Sequence, residues 1–355
     1  MKRIVLLTVA VLVLFSCTKK DTGIKTYFNN STPANPDFNI EIVESFELNN
    51  EAGVKLLDNP YDVTVDKDGN IYILSIGTEK IIKYNKDLKF VNEFGGAGNG
   101  PGELNGAQTI FVLKDTLLVA EFASKKIHKF DLNGKFVNSF YNPAISQAHS
   151  FNGKNEHFLS QSISVYNEGN NGRSKLTLLD SRYNVVKDLV DLGETDNYIF
   201  FLTRISYAMT NDKIYVAEIS HSNYRISIFD YTGNKIGQIN KSFALVPFEY
   251  KKEVLSKFFG SKYKRVISNL YTDYNNNLWV MKALKDTEDK DNNNQEFRFD
   301  VFKDGVFQNE VKLDSLPFEP FDYGVRTKIV GDKIFSIFFG QDKVIVSKYV
   351  IKENK

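Results

Sequence analysis

Three arginines carry the first hint of chemistry in this sequence. Arg204, Arg265 and Arg326 recur at intervals of 61 residues, and a guanidinium is a planar fork that meets a carboxylate or phosphate in paired hydrogen bonds. Gathered on one rim, they would hold an anionic ligand such as an acidic sugar or a peptide carboxylate. Left apart, they would pair with acids such as Glu121, Glu218 and Asp322. Aligning the chain on its first strands and turns also brings Tyr61, Gln108 and His149 to the arginines' level. His221, three residues after Glu218, is the candidate for moving a proton.

Other catalytic signatures are sparse. The four histidines, His128, His149, His157 and His221, form no helical pair of the kind that ligates zinc. No Gly-x-Ser-x-Gly elbow occurs, and Cys17 is the sole cysteine. Asp289, Asp291 and Asn293 alternate like the first half of a calcium loop, but the central glycine and closing glutamate are missing. That stretch reads as a solvated hairpin tip, and calcium is the one cofactor the sequence leaves open. Gly95–Leu104 is glycine-rich yet lacks the lysine and helix start of a phosphate loop, and reads as a tight connection. Paired carboxylates for glycoside cleavage stay open, because a ring sets their separation by its geometry.

The elements that must position these groups repeat. Ile81 and Ile127 are 46 residues apart, as are Phe94 and Phe140. Each repeat has an alternating strand (A), an Asp/Asn/Gly turn, a β-branched and aromatic strand (B), a loop, a third strand (C), a second such turn and a fourth strand (D). Four short strands per repeat, on a fixed period, predict propeller blades. Two turns of blade one are Asp66–Asn70 and Asn85–Leu88, and Asp131–Lys135 in blade two returns as Asp230–Asn234 in blade four. Blades three to six start near Ala148, Ile205, Arg265 and Val325. Pro247–Gly260 spaces Val254, Leu255, Phe258 and Phe259 for one face of a short helix inserted between blades four and five. It reads as a rim plug or a lid. Blade six is one strand short, and Asn39–Leu48 is an alternating segment with no hairpin partner. Pairing it with Lys343–Ile351 would close the ring and cover an open edge.

Pro60-x-x-Val-x-Val-Asp-x-Asp-Gly-Asn-Ile-Tyr-Ile, followed by Ile-x-Lys-Tyr and Phe-Gly-x-x-Gly-x-Gly-Pro-Gly-Glu-Leu, resembles the NHL-repeat family. The resemblance is good over residues 60–141, recognisable over 205–240 and degenerate elsewhere. It implies an all-β, six-bladed propeller of four-stranded antiparallel blades, and overall a propeller lipoprotein of the Gram-negative envelope. Where NHL repeats usually carry an Asp in strand B, this chain has Glu121, Glu218 and, in blade one, Ser75. Some relatives on this scaffold cleave lactones, esters or amidated peptides with channel-bound calcium, which supplies the alternative to binding: a hydrolase or lyase.

The N-terminus reads as an export signal: Met1-Lys-Arg, an apolar run from Ile4 to Phe15, then Ser16-Cys17. The run is short for a permanent membrane span. Leu14-Phe-Ser-Cys17 resembles a lipobox, which implies cleavage before Cys17 and lipid on its thiol, hence an outer-membrane anchor; Lys19-Lys20-Asp21 directly after it reads as a signal for export to the outer face, with either face of the membrane left open. Residues 18–38 read as a flexible tether and 39–355 as the propeller. With 45 basic against 44 acidic residues, nothing predicts electrostatic capture of nucleic acid. The expected partners are a glycan, a peptide or a protein at the channel mouth, and the chain is taken as a monomer.

Overall fold

The computed structural model describes residues 24–48, 59–145, 148–166, 171–195, 205–217, 220, 222–247, 263, 266–282, 294–317, 324–330, 332–339 and 344–352. One turn device shapes it throughout. Asp66 Oδ1 accepts the amides of Asp68 and Asn70, both at 2.9 Å. Asn85, Asp131, Asp180, Asp230 and Asp273 each accept the same two amides, two and four residues on. A side-chain oxygen thus replaces a backbone acceptor and folds the chain back on itself. The fourth residue of every such turn is left-handed: Gly69, Leu88, Gly134, Tyr183, Gly233 and Asn276, with φ from +60° to +88°.

Between the turns, β-branched and aromatic residues form the strands. Blade one comprises β3 (Pro60–Val65), β4 (Ile71–Ser75), β5 (Lys80–Tyr84) and β6 (Phe90–Gly95). Blade two comprises β7 (Ala107–Leu113), β8 (Thr116–Glu121), β9 (Lys126–Asp131) and β10 (Phe136–Tyr141). In blade three, β11 (Ala148–Lys154) and β12 (His157–Tyr166) precede β13 (Asn171–Leu179) and β14 (Val185–Thr195). Blade four holds β15 (Ser206–Met209), β16 (Ile214–Ala217), β17 (Arg225–Phe229) and β18 (Lys235–Lys241). Blade five holds β19 (Ile267–Thr272), β20 (Leu278–Lys282), β21 (Asn294–Lys303) and β22 (Val306–Pro317). Blade six takes β23 (Gly324–Val330), β24 (Lys333–Phe339) and β25 (Val344–Lys352) from the C-terminal end.

Its fourth strand is β2 (Asn39–Leu48), antiparallel to β25 with Ile40 opposite Ile351 and Leu48 opposite Val344. The ring therefore closes with the strand the sequence left unpaired. The result is a six-bladed, all-β propeller of four-stranded antiparallel sheets. An apolar cluster fills the space between each successive pair of blades, with Trp279, Tyr72, Phe130, Phe299 and Phe335 among its largest buried side chains. The helix expected at Pro247–Gly260 falls outside the described residues, apart from Pro247 itself, which bridges Tyr263.

The segment read as a tether does more than link. Residues 25–29 form β1 (Lys25–Asn29), which adds in parallel to the outer edge of β18. The chain then passes blade five, where Ala34 and Asn35 donate to the carbonyls of Phe307 and Gln308. Phe38 sinks into the cluster between blades five and six, 5.7 Å from Trp279, before β2 begins. One N-terminal strap thus spans the rims of three blades.

Candidate functional site

The first strand of each blade lines the axis, and its start lies on the face that also carries the B–C loops and the blade-to-blade links. At that level the pairing of β3 with β4 shifts between Pro60 and Asp62, leaving Tyr61 in a bulge. Gln108 is bulged in the same way between Ala107 and Thr109, and His149 between Ala148 and Ser150. Three blades thus place the expected residues at equivalent positions of the mouth, each where an extra residue re-aims the strand.

The arginines follow a different register. In blade five the bulged residue is Ser268, between Ile267 and Asn269, three positions after Arg265. In blade four, Ser206 Oγ accepts the Leu270 amide at 2.7 Å, as Asp62 Oδ2 accepts that of Ile110 at 2.9 Å, so Ile205 is the counterpart of Tyr61. Arg326 faces Ile337 in an unbroken ladder, the counterpart of Thr109, and Val325 takes the level of Gln108. The counted positions thus miss the bulge level by one residue in blades four and six and by three in blade five. Arg204, Arg265, Glu218 and His221, like Asp289, Asp291 and Asn293, lie outside the described residues.

The acids that are described at the mouth serve the fold. Glu121 ends β8 and is buried; its Oε1 accepts the Asn105 amide at 2.7 Å and its Oε2 the Ser124 hydroxyl at 2.6 Å. His128, also buried, brings Nε2 to 3.0 Å from Glu121 Oε1, a close contact outside good hydrogen-bond alignment. Burial pushes the Glu121 carboxyl up, but the His128 ring and the Ser124 and Asn105 donors outweigh it and hold it below its ordinary value. Asp62, a residue that reading the sequence passed over, accepts the Thr109 hydroxyl as well as the Ile110 amide, wiring blade one to blade two. On its other side, in adjoining blade six, lies Lys328, whose Nζ is 3.9 Å away. The alternation of Asp62 with Val63 was the only sign of it.

The glycine-rich link holds an acid of its own. Glu103 Oε2 accepts the Gly100 amide at 2.7 Å, and a Cβ on Gly98 would lie 2.0 Å from the same oxygen. The loop's concave backbone is therefore filled by its own carboxylate, in agreement with its reading as a connection. Among the described residues no group of three or more His, Cys, Asp or Glu side chains is placed to hold a metal ion.

A closed ring of six sheets with a polar mouth defines the chain as a six-bladed β-propeller. It is similar in fold to a member of the DUF4221 family from Bacteroides vulgatus, with 12% identity, a TM-score of 0.56, and 89% of this chain and 98% of that one covered. An exported-protein candidate from Bacteroides fragilis is similar at 13% identity and a TM-score of 0.53, with 93% and 100% covered. A virginiamycin B lyase from Staphylococcus aureus aligns at 12% identity and a TM-score of 0.47, covering 87% and 99%. No protein-family model matches the chain, and no curated protein matches it significantly.

Proposed function

We propose that this propeller is an exported, lipid-anchored binding module with NHL-type repeats, taking an anionic ligand at the mouth framed by Tyr61, Gln108 and His149. The observation that carries this reading is the fate of the acids there. A metal-dependent hydrolase needs several carboxylates converging unpaired on the axis. Glu121, Asp62 and Glu103 are instead each committed to backbone amides and neighbouring side chains. Among the described residues, what the mouth can offer a ligand is neutral or basic, with Lys328 on its wall beside Asp62; in sequence, Arg204, Arg265 and Arg326 fall within three residues of the bulge level. An acidic glycan or a peptide carboxylate suits such donors. Fold likeness to an exported-protein candidate supports the envelope location, and Cys17 supplies the anchor in this reading.

The test is an array of acidic and neutral glycans and peptides, probed with the folded protein and with a triple variant, Arg204→Ala, Arg265→Ala, Arg326→Ala. Loss of an acidic ligand by the variant is the expected result. Binding that is unchanged in the variant, or a stoichiometric metal in the purified protein, would count against the proposal.

A further inference from the structure

We infer a second ligand site, remote from the axis: an acidic-saccharide cleft between the rims of blades two and three. It opens between β10, with the short 3-10 turn Pro143–Ile145 that follows it, and the turn joining β13 to β14. The cleft encloses about 720 Å³, and no carboxylate lines it. Its wall is aromatic. Tyr183 stacks on Phe158 at 4.3 Å between ring centres and tilts against Phe140 at 4.8 Å. Tyr141 stands at the edge, 62% exposed. Two cations flank these rings. Lys129 Nζ lies 5.1 Å over Phe140 and 5.9 Å over Tyr183, and Arg182 sits in the adjoining turn. Among the described residues neither cation has a carboxylate within ion-pairing distance. Asp180, the acid that senses Arg182, is taken up by the amides of Arg182 and Asn184 and by the Asn184 side chain.

The turn itself adds a second observation. Tyr183 holds φ at +64°, a conformation that costs a bulky residue about 1–2 kcal/mol. The equivalent position is Leu88 in blade one and glycine in blades two and four. Retaining a tyrosine there serves to wedge a ring between blades, and backbone strain of this kind clusters at ligand sites. Rigid aromatic faces suit the apolar face of a pyranose, the amides of Asn142 and Asn184 suit its hydroxyls, and the two unpaired cations suit a carboxylate or sulfate on the ring. A neutral sugar would leave those cations unanswered.

The test is titration calorimetry at low salt with trigalacturonate, a sulfated galactose trisaccharide and neutral galactotriose. At least one acidic probe should bind and galactotriose should not, and Arg182→Ala and Tyr183→Asn should each weaken binding by about tenfold or more. Asn tolerates the left-handed backbone, so the second variant removes the ring without disturbing the turn. Lys89→Ala, which removes an exposed cation on the blade-one turn outside both sites, should leave this affinity unchanged. Which acidic probe binds separates carboxylate from sulfate. No acidic probe binding, equal binding of galactotriose, or binding kept in both cleft variants would overturn the proposal.

Discussion

Gly134 illustrates how much a single position decides. It takes φ +88° at the fourth place of its turn, and a Cβ there would lie 2.3 Å from the Phe94 ring of the preceding blade. Gly134→Ala should therefore lose about 2 kcal/mol or more, from the left-handed backbone and the overlap together, measured as a fall in the denaturation midpoint. A pH effect belongs to the same scale. The folded Glu121 carboxyl is held below its usual 4.5, so its contribution is present above that pH and is lost as pH falls below it. Acid unfolding curves should show wild-type protein losing stability below about pH 4.3 more steeply than Glu121→Gln. Both features had sequence signals: a repeated Asp-x-x-Gly turn, and a glutamate closing strand B. The arginine rim is a different case, since Arg204 and Arg265 lie outside the described residues. Spacings of 61 residues carry across blades only if each first strand and turn has the same count, and the first turns vary from two residues between Leu113 and Thr116 to five between Val65 and Ile71.

At the scale of the element, blades four and five are joined by buried charge. Asp300, fully buried on β21, meets Lys241 Nζ of β18 at 2.9 Å and Lys282 Nζ of β20 at 3.1 Å. Lys282 also pairs with Glu310, which Arg298 approaches to 3.1 Å. Burial drives the Lys241 ammonium below its ordinary pKa, outweighing the opposing pull of Asp300. Asp300→Ala should cost about 3–5 kcal/mol by leaving the buried Lys241 without an acid and Lys282 with Glu310 alone, whereas replacing Lys241 with Met and Asp300 with Leu together should cost less. Urea titrations of the three proteins would read the difference. None of this was legible beforehand, because Lys241 and Asp300 are distant in sequence and each looks like an ordinary strand residue. The strands themselves were legible where apolar residues alternate, as in β2. In contrast, β1 is five residues long and pairs in parallel at an outer edge, so no hairpin turn announces it.

For the whole molecule, closure is the central fact. β2 covers nine residues of β25 that would otherwise present an unpaired strand to other chains. A protein starting at Ile24 should remain monomeric and unfold cooperatively, whereas one starting after Leu48 should aggregate on size-exclusion chromatography. The six-bladed ring was readable from repetition, since stacked units that cannot bury their faces alone must continue until they meet. Which residues of that ring touch a ligand was not, because the sheets fix their separations and the chain order does not.

The position of β1 also limits how far the body can stray from its membrane. Lys25, where the backbone is already fastened to blade four, comes only eight positions after Cys17. Even fully stretched, eight residues reach about 28 Å. With lipid on Cys17, as proposed, the propeller would ride within about that distance of the bilayer, held at the end of blade four beside the Asp230–Asn234 turn, which is the end away from the axial mouth.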